Sequence, residues 1–207
     1  MPSVYDLKPR FQGLLRPLMR RLAGLGFTPN IITWIAVAGS IVVGALLPLS
    51  RQRPAFLLLL PAWLFARMAL NAIDGMMARE LGMATLPGAV LNELGDVLSD
   101  LGLYLPLTFL SDQVKWQVIA FSLGGVLTEF CGVLGRALGA SRRYEGPMGK
   151  SDRAFLVGAL GLLTFAVPEA LKLWPWVFWA ATLLTGVTCW NRVSKALGEL
   201  RPNNGKG

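Results

Sequence analysis

From residue 29 onwards the chain alternates long apolar runs with short polar or proline-marked breaks. Six runs stand out, near residues 30–49, 55–79, 88–110, 114–138, 153–173 and 175–197. Each approaches the roughly 20 residues a helix needs to cross a bilayer. None alternates with the period of two expected of a barrel strand. Pro29 and Asn30 mark the entry to the first run, Pro54 the second and Pro87 the third. Pro168 falls inside the fifth and predicts a kink or an early end there. Ahead of the runs, residues 5–25 set Leu7, Phe11, Leu14, Leu15, Leu18 and Leu22 against Lys8, Arg10, Arg16, Arg20 and Arg21. That pattern predicts an amphipathic helix, either lying in the membrane interface or solvated and packed on the domain. The expected fold is all-α and integral to the membrane: six transmembrane helices preceded by an N-terminal amphipathic interfacial helix. One domain spans residues 1–200, and residues 201–207 form a polar tail.

Composition supports a membrane protein. Only 15% of residues are charged and 54% are hydrophobic, with mean hydropathy +0.52; a soluble domain carries about 25% charged residues. The net charge of +8 could suggest nucleic acid, but the distribution of Lys and Arg argues for a membrane bias instead. Fifteen of them fall at the two termini, after the second run and around the fourth loop. Four (Arg51, Arg53, Lys115 and Lys172) fall on the other side, and Arg67 lies within the second run. An even number of crossings with this bias predicts both termini in the cytoplasm, in the cytoplasmic or inner membrane, with no nucleic-acid partner. No cleaved signal peptide is predicted at the start. Cys131 and Cys189 lie inside apolar spans without disulfide or metal spacing.

Ionisable groups inside membrane spans cost about 2.5–3.5 kcal/mol each on insertion scales and survive mainly beside partners or a cavity. Arg67, Asp74, Glu93, Asp96, Asp100 and Glu129 therefore need a reason. At about 100° per residue, Arg67, Asn71, Asp74, Gly75 and Ala78 share one face of the second span. Gly88, Asn92, Gly95, Asp96 and Ser99 share a face of the third, with Glu93 and Asp100 at its edge. Small residues alone could serve tight helix packing, and the acids could pair with Arg67 or Arg79. Packing does not explain clustered acids, which suit a hydrated cation-binding cleft. Asp and Asn oxygens favour Mg²⁺ or Mn²⁺ over zinc, and the chain has no His. With Arg79 adjacent, phosphate or pyrophosphate chemistry is indicated, while no P-loop or serine-hydrolase elbow is present. Glu129 and Arg67 are candidate structural partners of each other.

The stretch Asp74-Gly75-x2-Ala78-Arg79-x8-Gly88-x7-Asp96 resembles the CDP-alcohol phosphatidyltransferase family. The likeness extends to the amphipathic start, to "GFTPNIIT" at the first span and to the basic loop "GPMGKSDR". The resemblance implies that Asp74, Asp96, Asn71 and Asn92 surround one or two Mg²⁺ or Mn²⁺ ions. It implies that Asp74, Gly75, Ala78, Arg79 and Gly88 border the CDP and its pyrophosphate, and that Asp96 is the general base. Asn71 and Asn92 stand where the family pattern has aspartates, which removes a charge at each position. Glu93 and Asp100 could restore charge; alternatively the last acidic pair is Asp96 with Asp100, one turn along. The unshifted register is preferred.

The implied reaction transfers a phosphatidyl group from CDP-diacylglycerol to a small polar alcohol and releases CMP. Lys150, Arg153, Arg142 and Arg136 are candidates for an acceptor phosphate, or ordinary loop charges. CDP-choline or CDP-ethanolamine transfer to diacylglycerol, and a weakly catalytic lipid-binding or scaffold protein, are the alternatives. The expected partners are CDP-diacylglycerol, the acceptor and membrane lipids, with a homodimer implied by the family.

Overall fold

A computed structural model describes residues 4–200. The polar tail at 201–207, with Arg201 and Lys206, lies outside the described residues, and so do the side chains of residues 4–8. Among the described residues the chain is all helical. The helices are α1 (Val4–Gly24), α2 (Pro29–Leu46), α3 (Leu59–Glu80), α4 (Leu86–Tyr104), α5 (Lys115–Ala137), α6 (Lys150–Ala166) and α7 (Trp174–Leu200). Tighter 3-10 turns prolong several of them: Leu47–Arg51 after α2, Pro54–Leu58 before α3, Leu105–Phe109 after α4 and Pro168–Leu173 before α7. Pro48, Pro54, Pro106 and Pro168 each occupy the first or second position of such a turn, where a missing N–H costs nothing.

Pro168 ends α6 at Ala166, shorter than the run predicted to 173, and α6 begins at Lys150 where the hydropathy pattern suggested 153. Gly149 caps that helix, its N–H donating to Asp152 at 2.9 Å. Thr28 and Thr85 cap α2 and α4, their hydroxyls accepting from Ile31 and Gly88.

Four segments are long and apolar enough to cross a membrane: Pro29–Arg51, Pro54–Glu80, Asp112–Ala137 and Pro168–Leu200. The chain is an integral membrane protein on that ground. Helices α4 and α6 differ for a physical reason. Helix α4 carries Glu93, Asp96 and Asp100, and α6 has 17 residues and opens with Lys150, Asp152 and Arg153. These helices furnish the polar centre.

Helix α2 packs against both α3 and α4, while α3 and α4 approach one another little, and α5 pairs closely with α7. The apolar core joins Leu60, Leu103, Tyr104, Phe121, Trp174 and Phe178; the ring centroids of Phe121 and Phe178 are 5.0 Å apart. Many large apolar side chains, Phe155, Leu183 and Trp190 among them, point outward, as lipid contact requires. Helix α1 packs on the domain: Met19 is buried with Ile32, Ile73, Met76 and Met77. Arg16 makes a two-pronged ion pair with Glu80 at 2.9 Å. Leu14 and Leu18 remain exposed.

Candidate active site

Helices α3 and α4 both lean on α2 and pack little on each other, and the candidate site is the cleft between them. Its geometry starts at the turn. Gly82 has φ +67°, a left-handed conformation other residues resist, and reverses the chain so that α4 returns antiparallel to α3. A Cβ on Gly88 would come within 2.7 Å of Asn30 Oδ1 and 2.8 Å of Thr85 Oγ1. Glycine there lets the start of α4 sit against α2.

Side chains bridge the cleft at two levels. At the upper level, Asn71 Nδ2 donates to Asp96 Oδ1 at 3.4 Å, and Lys150 Nζ donates to Asp96 Oδ2 at 2.7 Å. Asp74 is 3% exposed. Its Oδ2 accepts from Thr33 of α2 at 3.0 Å, while its Oδ1 is buried without a hydrogen-bond partner. Asn92 is exposed near the start of α4. Arg79 is also exposed, its guanidinium folded back so that a Cβ on Gly75 would lie 3.2 Å from it. No described carboxylate pairs with Arg79, although its neighbour Glu80 is held by Arg16.

At the lower level the charges close on themselves. Arg67 donates to Asp100 Oδ1 at 2.6 Å and to the Asp96 carbonyl at 3.2 Å. Arg153, 1% exposed, commits all of its donors. Nε and Nη2 reach Asp100 at 3.2 and 2.9 Å, Nη2 also reaches Glu129 at 3.1 Å, and Nη1 reaches Thr128 and the Met148 carbonyl. Glu129 also pairs with Arg142 at 3.0 Å and Arg192 at 3.5 Å. Arg192 further donates to the carbonyls of Thr128 and Glu145. Arg142 reaches outward from there to Glu93, at 2.8 and 2.6 Å. Burial opposes the Arg142 charge, but the hydrogen bonds it donates to the Glu93 and Glu129 carboxylates outweigh it and hold its pKa above the ordinary arginine value. Arg136 is exposed near the end of α5.

This arrangement corrects two expectations. Glu129 and Arg67 are not partners: Arg67 belongs to Asp100 and Asp96, and Glu129 to Arg142, Arg153 and Arg192. Glu93 and Asp100 do not stand free to restore charge around Asp96, because arginines already neutralise both. A last acidic pair shifted to Asp96 and Asp100 would require freeing Asp100 from two guanidiniums.

The faces read from helical period come together as expected for Arg67, Asn71, Asp74 and Asp96. Sequence reasoning missed Thr33, Thr128 and the part played by Arg192. Thr33 is the last residue of the quoted "GFTPNIIT"; a polar side chain inside the first span was the available signal. Arg192 reads in the sequence only as one of the positive charges at the C-terminus.

Asp74, Asp96, Asn71 and Asn92 offer hard oxygen donors suited to Mg²⁺ or Mn²⁺. Asp74 Oδ1 is buried without a hydrogen-bond partner, a state that a bound cation would satisfy. Among the described residues no group of three or more His, Cys, Asp or Glu forms a metal site, so any such ion draws on the asparagine carbonyls as well.

A family model described as CDP-alcohol phosphatidyltransferase matches residues 27–187. The chain is 46% identical over 196 residues to Inner membrane protein YnbA of Escherichia coli (strain K12), covering 94% of this chain and 96% of that one. It is 31% identical over 154 residues to Archaetidylinositol phosphate synthase of Aeropyrum pernix, covering 69% and 77%. Crystal structures of Mycobacterium tuberculosis phosphatidylinositol phosphate synthase share the fold. One, with CDP-DAG bound, superposes with TM-score 0.75 at 21% identity, covering 92% of this chain and 97% of that one. Another, in complex with manganese and citrate, gives 0.76 at 20%, covering 92% of each.

Proposed function

The chain belongs to the CDP-alcohol phosphatidyltransferase family of enzymes, and on that premise we propose that it transfers a phosphatidyl group from CDP-diacylglycerol to a small polar alcohol. The observation that carries this reading is the cleft between α3 and α4. It presents one buried carboxylate oxygen without a partner, Asp74 Oδ1, beside a second carboxylate, Asp96, at the head of α6. The relative named Archaetidylinositol phosphate synthase, and the phosphatidylinositol phosphate synthase crystallised with CDP-DAG, support the donor and favour a phosphorylated acceptor.

In this reading Asp74, with the amide oxygens of Asn71 and Asn92, would hold a divalent ion, Mg²⁺ or Mn²⁺, close to Asp96, and the ion would supply positive charge to the phosphate oxygens. Asp74 is fixed by Thr33, so its free oxygen keeps one direction. Gly75, Ala78 and Gly88 leave room for the nucleotide, and Arg79, without a carboxylate partner among the described residues, faces the pyrophosphate. Asp96 takes the proton of the acceptor hydroxyl. The acceptor oxygen then bonds to the phosphorus that carries diacylglycerol, the bridging P–O bond of the pyrophosphate breaks, and CMP leaves with that electron pair.

Lys150 and Arg136 lie on the acceptor side, and Arg142 behind them is committed to Glu93 and Glu129. Lys150 is half-buried and has donors beyond the one given to Asp96; Arg153 has none to spare, and its backbone N–H donates to the Gly149 carbonyl just ahead of Lys150. The protein works as an inner-membrane protein with six crossings, α1 in the interface, both termini and the cleft on the cytoplasmic side, and two copies per assembly. The charge bias of the loops supports the orientation.

The test is CMP release by purified protein with Mg²⁺ or Mn²⁺. Donors are CDP-diacylglycerol, CDP-choline and CDP-ethanolamine, and acceptors are polyols with and without phosphate, and diacylglycerol. CMP from CDP-diacylglycerol alone, with a phosphatidyl product, is expected; CMP only when diacylglycerol is the acceptor would overturn the direction of transfer. A second reading is a lipid-binding protein with little chemistry. It draws on the amides at Asn71 and Asn92 and on the Lys150 pairing with Asp96, and no turnover with any pair would favour it.

A further inference from the structure

The two carboxylates of the cleft are served differently. Asp96 is satisfied by protein on both oxygens, Lys150 at 2.7 Å on one and Asn71 at 3.4 Å on the other, with Arg67 3.7 Å from the latter. Asp74 has Thr33 on one oxygen and nothing on the other. The contact between Asn71 and Asp96 depends on the amide. An aspartate at position 71 has no N–H to give, and two carboxylates so placed repel unless a cation lies between them. Asn71 removes that requirement, and Lys150 brings a full positive charge to the opposite oxygen.

Lys150 is also held where it stands. It is the first residue of α6. The Gly149 N–H before it is capped by Asp152 at 2.9 Å, and the Gly149 carbonyl accepts from the Arg153 N–H at 3.0 Å. The positive end of the α6 dipole therefore adds to the ammonium beside Asp96. A divalent ion bridging Asp96 would have to displace this charge or sit against it. Nothing comparable guards the Asp74 oxygen.

We propose that Lys150 is a built-in cation at Asp96, standing in for a second divalent ion, so that the cleft binds one metal ion, through Asp74. The proposal rests on the reading of the cleft as a divalent-metal site. It makes Lys150 a positioning and charge-balancing residue, and it gives the pair Asn71 and Lys150 one joint purpose.

The experiment is a Mn²⁺ titration of detergent-purified full-length protein, read by the electron paramagnetic resonance of free Mn²⁺, with CMP release measured in parallel. Wild type and Lys150→Arg are expected to bind one ion. Asn71→Asp with Lys150→Gln is expected to bind two, the second at least about 10-fold more tightly than in Asn71→Asp alone, in line with what neighbouring groups contribute to metal affinity. Two tight ions in the wild type would overturn the proposal. So would no ion, or a second site in Asn71→Asp that is indifferent to Lys150. One ion with the expected Lys150 dependence but no CMP from any donor leaves the proposal standing and overturns the transferase reading. Two ions with normal CMP release does the reverse.

Discussion

Asp96 and Asp100 sit one helical turn apart on α4 and meet opposite fates. Asp100 is 7% exposed and lies between Arg67 and Arg153, with both oxygens in charge-assisted hydrogen bonds. Asp96 meets a half-buried lysine and an amide at the edge of a cleft. The difference teaches that one run of acids can divide into a part that holds helices together and a part left available for chemistry. The structural part is large: four arginines (Arg67, Arg142, Arg153 and Arg192) and three carboxylates (Glu93, Asp100 and Glu129) tie α3, α4, α5, α6 and α7 together. Such pairs do not add much net stability, but losing one partner strands a buried charge.

Variants that exchange the two fates give the largest effects. Asp96→Asn should lower CMP release by about 10²–10⁴-fold, the usual worth of a general base, with thermal unfolding in detergent near wild type. Arg153→Ala should act on the other side of the comparison. It strands Asp100 and Glu129 and should cost about 3–5 kcal/mol of stability, read as a lower unfolding midpoint or as loss of the monodisperse peak. A smaller effect is expected from Thr33→Val, which deprives Asp74 Oδ2 of its donor. Mn²⁺ affinity should fall by about 10-fold, at the low end for groups that orient metal ligands, with little change in unfolding. The smallest belongs to Arg16→Ala. Its pair with Glu80 is exposed and screened by solvent, so neither unfolding nor CMP release should move measurably.

Much of the cleft was legible because it is built from local spacing. Residues 67, 71, 74 and 78 lie on one helical face whatever the rest of the chain does, and the same holds for 88, 92, 95 and 96. The family resemblance adds the expected chemistry to that placement. The helix ends were legible where proline or a capping threonine marks them, as at Thr28, Thr85 and Pro168. Pairings between distant residues were not. Lys150 meets Asp96 across 54 positions and Arg153 meets Glu129 across 24; no periodicity encodes which arginine takes which acid. Positive charge near the polar ends of α5, α6 and α7 and in the loop after α5 looks the same in sequence whether it follows the cytoplasmic bias or is drawn into the core. Arg142, Arg153 and Arg192 are drawn in, while Arg136 stays at the surface, and only packing distinguishes them.

The division of labour along α4 can be tested most directly by comparing Asp96→Asn with Asp100→Asn in one preparation, measuring CMP release from CDP-diacylglycerol and unfolding side by side. The account predicts that Asp96→Asn unfolds like wild type and has lost turnover, whereas Asp100→Asn is strongly destabilised. Turnover retained by Asp96→Asn, or a stable and inactive Asp100→Asn, would contradict it.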